Sequence, residues 1–400
     1  MDRIDRKDLP ALFTGLMATL AGIGLARFAY TPLLPAIIQQ GWFGSSQAVY
    51  LGAANLLGYL LGALTAHTLS ERFPPRWVLG ASFAGIGLSF VLCATPGSFT
   101  GFFLCRLVSG VAGAVLMVVG PSLALTATPV ERKTTVGALV FTGIGLGALL
   151  SATVVPLLLE LDLNWTWLAL GGLALLAGLV CDRAAARLPR PQALAAGTGH
   201  GSGSAAPVGL VVLLVMAAYA LDAAGFVPHT VFWIDYLTRE ASLGNQAASV
   251  QWALFGVGAI LGPLLAGFLA RRFGWHSGLA VGFLTKSLAI ALPLLSIAFV
   301  SRSLSSLLVG AMIPGIVALT SGRLAELAGP AAHKRLWGRA TAAFAAAQAL
   351  SGYAMSGLYA QLGSYYPLFA IGSCLLAAGF VLVLFGRTAR PAGLSTASKA

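Results

Sequence analysis

The 400-residue chain is 58% hydrophobic and only 9% charged, whereas soluble domains carry roughly a quarter charged residues. So little charge excludes a water-soluble fold and predicts an integral membrane protein in contact with the lipid bilayer. The net charge of +12 would indicate a nucleic-acid partner in a soluble protein. Here the basic residues lie between apolar runs and form no single patch, so we expect no nucleic-acid partner.

Apolar runs long enough to cross a bilayer follow one another along the whole chain. A spanning helix needs about 20 apolar residues, and about twelve such runs fit the sequence. The first run is longer than the roughly 15-residue limit for the core of a cleaved signal peptide, so we expect it to be retained. The predicted spans lie near residues 12–39, 46–69, 77–95, 99–126, 134–158, 165–181, 208–237, 246–270, 276–299, 304–328, 339–361 and 366–386.

The segment 182–207 divides these spans into two groups of six. It is rich in Pro, Gly and Ser, a composition that neither packs nor spans. We therefore predict an N-terminal six-helix bundle over 1–181, a cytoplasmic linker over 182–207, and a second bundle with a short cytoplasmic tail over 208–400.

The basic residues indicate how the spans are oriented. Of the 24 Lys and Arg residues, 19 lie on the side of the termini, 2 lie on the opposite side and 3 lie within spans. Because positive charge is retained on the cytoplasmic side of a bacterial inner membrane, both termini are expected in the cytoplasm.

The two halves repeat each other at a constant offset. A shift of 200 residues also places Gly110 on Gly310, which favours duplication, although chance matches arise easily in a chain so rich in glycine and alanine. The residues of the second span that recur 200 positions later are Gly58, Leu61, Gly62, Ala66, Leu69, Arg72 and Phe73.

Two motifs resemble those of the major facilitator superfamily. The loop Leu69-Ser-Glu-Arg-Phe-Pro-Pro-Arg76 resembles its Leu-Ala-Asp-Arg-x-Gly-Arg-Arg loop, and Leu269-Ala-Arg-Arg-Phe-Gly274 looks like a partial copy. The run from Arg106 to Ala114 resembles the family's fourth-helix Arg-x-x-x-Gly-x-x-x-Ala pattern. The resemblance implies a conformational latch at Glu71, Arg72, Arg76, Arg271 and Arg272, and a role for Arg106 in proton coupling.

The sharpest local resemblance lies in the first span. Gly22-Ile-Gly-Leu-Ala-Arg27-Phe-Ala-Tyr-Thr-Pro-Leu-Leu-Pro35 is similar to the first-helix signature of the YbfB/YjiJ-type branch of that superfamily. The resemblance implies an all-α membrane fold of twelve transmembrane helices in two pseudo-symmetric six-helix bundles. In that fold helices one, four, seven and ten line a central cavity.

Two ionisable residues lie at similar depth in cavity helices. A charge at mid-membrane costs at least about 2.5 kcal/mol, so each one needs a reason to be there. Arg27 in the first span and Asp222 in the seventh are expected to face each other across the pseudo-twofold axis. We expect Asp222 to bind a proton or to pair with Arg27, and Arg27 to attract an anionic part of a substrate; a fixed ion pair that joins the halves is the alternative.

Further polar side chains follow these two residues. Tyr30 and Thr31 place hydroxyls near the face of Arg27, although Thr31 could instead bond its own preceding turn. His229 lies two turns after Asp222 on one helix face and is a candidate cavity residue, with a bond to a backbone carbonyl as the alternative.

Charged residues outside this group receive structural interpretations. Lys286 lies in the ninth span, which is peripheral in the superfamily, so snorkelling or a structural hydrogen bond is expected. Asp235, Glu160 and Asp162 lie near the outer span ends and are interpreted as solvated charges.

The sequence therefore predicts a secondary active transporter that moves a small organic solute by proton-coupled alternating access, and the excess of positive charge within the spans favours an anionic solute. The alternatives are a hydrophobic drug or metabolite efflux pump and a non-transporting membrane receptor. No phosphate-binding loop, zinc-protease motif or serine elbow occurs in the sequence, so we expect no enzyme activity, cofactor or metal. A monomer is expected.

Overall fold

The computed structural model describes residues 5–188 and 209–387, and these residues form helices without strands. The first six helices are α1 (Arg6–Gln39), α2 (Ser45–Arg72), α3 (Pro75–Leu92), α4 (Phe99–Thr126), α5 (Lys133–Leu159) and α6 (Leu163–Ala185). The next six are α7 (Leu210–Glu240), α8 (244–273), α9 (275–295), α10 (299–328), α11 (330–362) and α12 (Tyr366–Phe385).

Two glycines fold the chain back between helices that otherwise run on. Gly274 and Gly329 have φ angles of +80° and +72°, which glycine adopts without steric cost. The 52 residues from Gly244 to Leu295 would extend about 78 Å as one straight helix, more than twice the thickness of a bilayer core. The break at Gly274 converts this length into two antiparallel spans, and Gly329 does the same between α10 and α11.

Ten helices within the described residues are long and apolar enough to cross a membrane, and one of them contains both α8 and α9. The helix that falls short of this measure is α11. It carries polar side chains such as Gln348 and Ser356, both fully buried against other helices. Polar residues are tolerated there because α11 faces protein along much of its length.

The predicted repeat is present in the packing of the helices. A Cβ atom on Gly58 would lie 2.1 Å from the carbonyl oxygen of Leu107, and one on Gly258 would lie 2.1 Å from that of Leu307. Gly62 and Gly262 make an equivalent pair of contacts with α4 and α10, each at 2.3 Å. Both halves therefore pack their second helix against their fourth at the same 200-residue offset, with glycines that let the backbones touch.

The boundary of the predicted linker differs from the structure at its start. The sequence places it at residue 182, but α6 continues to Ala185. The extra turn is held by Asp182, which forms a bidentate ion pair with Arg76 at the beginning of α3. Residues 189–207 of the linker and 388–400 of the tail lie outside the described residues.

Candidate functional site

The site begins with a distortion of α1. Residues Leu20–Leu25 form a π-helical segment. After it, the amide of Tyr30 donates to the carbonyl of Arg27 and not to that of Ala26, which would be its acceptor in a regular α-helix. The carbonyl oxygen of Ala26 is therefore available for side chains. Such π segments are frequently found at functional sites.

Close packing holds this distorted segment in place. A Cβ atom on Gly22 would lie 2.7 Å from the carbonyl oxygen of Gly113 in α4. One on Gly24 would lie 2.6 Å from the Cα atom of Gly147 in α5. The glycines of the first-span signature are therefore required because α1 contacts the backbones of both neighbouring helices.

Arg106 anchors the available carbonyl from α4. Its Nη1 donates to the Ala26 oxygen at 3.0 Å, and the Nδ2 of Asn55 donates to the same oxygen at 3.2 Å. The guanidinium lies 4.3 Å from the ring centroid of Tyr30, within the range of a cation–π interaction. The hydroxyl of Tyr30 donates to the carbonyl of Ala48 at 2.7 Å, which fixes the ring in this position.

Arg27 connects the two halves. Its Nη1 donates to Oε1 of Gln348 in α11 at 2.7 Å, and its Nη2 lies 3.5 Å from the hydroxyl of Thr230 in α7. Beside it, the hydroxyl of Thr31 donates to the carbonyl of Thr230 at 2.5 Å. Thr230 belongs to a second π-helical segment, Pro228–Phe232, so both central helices are distorted where they meet.

These side chains line a cavity of about 10 Å³, which has room for at most about one water molecule. The conformation is therefore closed at this level, with the halves in direct contact. Among the residues that the structure describes, two cations and no acid line it; the lining residues are Arg27, Tyr30, Thr31, Gly52, Leu56, Arg106, Thr230 and Val231.

Neither arginine of the cavity is paired with a carboxylate in the described part of the chain. The acceptors are an amide, a hydroxyl and a backbone carbonyl. The Nε atoms of both Arg27 and Arg106 are buried, and neither has a hydrogen-bond partner among the described residues. The cavity therefore concentrates positive charge and available donors in a small, largely buried space.

The expected pairing of Arg27 with Asp222 is wrong, because Asp222 pairs with Lys286. The Nζ of Lys286 lies 2.6 Å from Oδ1 of Asp222, and both side chains are fully buried. Lys286 therefore does not snorkel; it makes the alternative hydrogen bond and points inward from α9. Its Nζ lies 4.1 Å from the ring centroid of Phe226, and Cζ of Arg27 lies 5.7 Å from the same centroid.

His229 bonds to a side chain and not to the backbone carbonyl considered as the alternative. Its Nε2 lies 2.7 Å from the hydroxyl of Ser305 in α10, and its ring stacks on Trp233 with a centroid distance of 4.5 Å. It is fully buried in the second half, and it is not among the residues that line the cavity of Arg27.

The structure corrects the interpretation of Asp235 as a solvated charge. Its side chain is fully buried, forms an ion pair with Arg239, and accepts a hydrogen bond from Tyr365 at 2.5 Å. The interpretation as a solvated charge was wrong because span position alone did not reveal that α12 covers this end of α7.

The predicted latch residues are placed as follows. Arg76 pairs with Asp182 inside the first half, and Glu71 lies 3.2 Å from Nε2 of His67 on the same helix. Arg72, Arg271 and Arg272 are exposed at the ends of α2 and α8. The structure thus brings together Arg27, Tyr30, Thr31 and Arg106, and leaves the latch residues, Asp222 and His229 outside their cavity.

Sequence reasoning missed three polar members of the site, Thr230, Gln348 and Asn55. Gln348 is an isolated amide in an alanine-rich stretch of the eleventh span, and such an amide is a signal for a buried partner. Asn55 occupies a similar position in α2, between apolar residues.

The apolar helices and the charges buried between them define a multi-pass membrane protein. A family model described as "Uncharacterised MFS-type transporter YbfB" matches residues 19–384, so the chain belongs to this transporter family. The resemblance predicted from the first span is confirmed.

Similar proteins carry names that refer to different small molecules. A chloramphenicol resistance protein of Streptomyces lividans is 27% identical over 272 residues, covering 64% of this chain and 66% of that protein. A gallate transporter of Pseudomonas putida is 24% identical over 317 residues, covering 70% of this chain and 68% of that protein. The chain thus spans slightly less than two thirds of the length of the Streptomyces relative.

Among solved structures, a D-xylose-proton symporter superimposes with a TM-score of 0.73. The match covers 95% of this chain and 96% of the other at 17% identity. Likeness at this level of identity concerns the fold alone, and the predicted fold class is confirmed.

Proposed function

We propose that the protein is a secondary active transporter of a small organic anion, most simply a carboxylate, which Arg27 and Arg106 bind. The observation that carries this proposal is the pair of buried arginines in one cavity with only neutral acceptors. Guanidinium groups recognise carboxylates through short charge-assisted hydrogen bonds. A solute carboxylate would supply the negative charge that the protein itself does not place there.

The proposed membrane, and the orientation of the chain in it, are inferred from the sequence. We place the protein in the bacterial inner membrane with both termini in the cytoplasm, as the distribution of Lys and Arg predicts. The two predicted bundles, 1–181 and 208–400, would rock about the site and expose it alternately to each side. Arg76 and the exposed arginines Arg72, Arg271 and Arg272 lie at helix ends where such rocking would change contacts.

We propose proton coupling through Asp222, and the charges around it favour symport. Protonation of Asp222 would leave Lys286 without its counterion, and Lys286 shares the Phe226 ring with Arg27. The added positive charge would strengthen anion binding in a medium of low dielectric constant. By linkage the anion would strengthen proton binding to the same extent, so both would be carried together.

The relatives favour two solute classes. The gallate transporter supports the proposed class, because gallate is a carboxylate. The chloramphenicol resistance protein supports the alternative of drug efflux, because the drug in its name carries no carboxylate. The two buried arginines favour the first class, since an uncharged drug would leave their charge uncompensated.

Counterflow in proteoliposomes tests the proposal. Vesicles loaded with unlabelled gallate should accumulate radiolabelled gallate, and unlabelled gallate added outside should compete. The methyl ester of gallate, which has the same ring without the charge, should compete at least about tenfold less well, because it loses charge-assisted hydrogen bonds. Equal competition by the ester or by chloramphenicol, or a lack of exchange across a panel of small carboxylates, would overturn the assignment.

A further inference from the structure

Gln348 accepts a hydrogen bond from Arg27 in the closed conformation. It lies in α11 and is fully buried, and its Oε1 accepts from Nη1 of Arg27 at 2.7 Å. The contact joins α1 of the first half to α11 of the second, so it forms only when the two halves approach. The Nε2 atom of Gln348 has no partner among the described residues, so its amide has no other hydrogen bond to fix it.

An amide oxygen is a neutral counterpart of a carboxylate oxygen. Both accept hydrogen bonds from guanidinium donors, but only the carboxylate carries a charge. A carrier that closed around Arg27 without any acceptor would bury an unsatisfied cation, which is strongly unfavourable. Gln348 supplies one acceptor for that cation, which lowers this cost without neutralising the charge. It does so next to a cavity that is too small to hold a solute.

We propose that Gln348 is an internal stand-in for the solute's carboxylate, which lets the carrier close and return across the membrane without solute. The inference rests on the proposed function, because it assigns the solute to Arg27. A symporter needs this return step to carry net flux, whereas an exchanger of solute for solute does not. Gln348 therefore determines whether the protein carries net flux or only exchange.

The first test compares two fluxes in one variant. Gln348→Met keeps the size of the side chain but lacks the acceptor, so the ratio of net gallate flux to gallate counterflow should fall about tenfold. Gln251→Met is the matched control, because Gln251 is also fully buried but bonds to Ser303 in the second half. Its ratio should equal that of the wild type. An unchanged ratio in Gln348→Met would overturn the proposal.

The second test places a permanent carboxylate on Arg27. Gln348→Glu should occupy the guanidinium with an internal anion and abolish gallate counterflow, while the thermal unfolding midpoint stays at or above that of the wild type. Retained counterflow with gallate affinity near the wild-type value would contradict the idea that the amide and the solute share one position.

A solute-independent measurement separates this inference from the proposed function. Leu56 lines the cavity and is buried, so Leu56→Cys, in a background whose four native cysteines are replaced by alanine, reports opening through its rate of maleimide labelling. Gln348→Met should raise that rate about tenfold by disfavouring the closed conformation. An unchanged rate overturns the role of Gln348, whereas a raised rate without gallate counterflow in the wild type overturns only the assignment of the solute.

Discussion

The residues that define the site are cations with neutral partners. Arg27 was identified from the sequence because charge at mid-membrane requires a reason, and Arg106 because its motif resembles that of the superfamily's fourth helix. Their partners Gln348 and Ala26 could not be identified in this way, because the first lies more than 300 residues away and the second is a backbone group made available by a π segment. Sequence reasoning thus located the charges and not the contacts.

Removing the charge of Arg106 should weaken anion binding. We expect Arg106→Gln to raise the Kd for gallate about tenfold to a hundredfold, since a hydrogen bond to a charged group contributes about 1.5–3 kcal/mol. Titration of tryptophan fluorescence in detergent measures this change. Arg302→Gln is the control, because Arg302 is partly buried next to Phe299, away from the cavity, and its loss should leave the Kd unchanged.

The pair of Asp222 and Lys286 should behave as a buried ion pair. Lys286→Met would leave the carboxylate buried without a counterion and should destabilise the fold by about 3–5 kcal/mol. The double variant Asp222→Asn/Lys286→Met should recover most of that loss, because both charges are then absent. Thermal unfolding of the two single variants and the double variant forms the cycle, and purely additive losses would contradict direct pairing.

At the scale of the helices, the number of spans was predictable but their distortions were not. Hydropathy locates apolar runs, and the twelve predicted runs correspond one to one to α1–α12. The boundaries differ most at α1 and α11, which begin at 6 and 330 where the sequence predicts 12 and 339. The π segments of α1 and α7 leave no such signal. Each extra residue turns the following side chains by roughly 100°, so face assignments made by regular helical spacing fail beyond such a segment.

The glycines of α1 should tolerate no side chain. We expect Gly24→Ala to destabilise the protein by about 1–3 kcal/mol, because the new Cβ atom would meet Gly147 of α5 at 2.6 Å. Gly80→Ala is the matched control: Gly80 is an exposed helical glycine with no atom within 4 Å of the added Cβ position. That variant should be neutral or more stable by up to about 1 kcal/mol. Similar melting points for the two variants would contradict the packing argument.

At the scale of the whole molecule, the repeat gives both halves one architecture, and the differences between the halves carry the chemistry. Gly58 and Gly258 make equivalent contacts, whereas Arg106 in α4 corresponds by the same shift to Ser306 in α10. The first half thus supplies the cations of the cavity. The second half supplies the neutral acceptor Gln348 and the buried pair of Asp222 and Lys286.

Proton movement driven by a solute gradient tests the central proposal most directly. Proteoliposomes containing a trapped pH-sensitive dye are exposed to an inward gallate gradient, with protein-free vesicles as the control. Symport predicts that the lumen acidifies as gallate enters, and that Asp222→Asn abolishes the acidification while gallate counterflow continues. Alkalinisation of the lumen, or gallate entry without any change in pH, would contradict proton symport through Asp222.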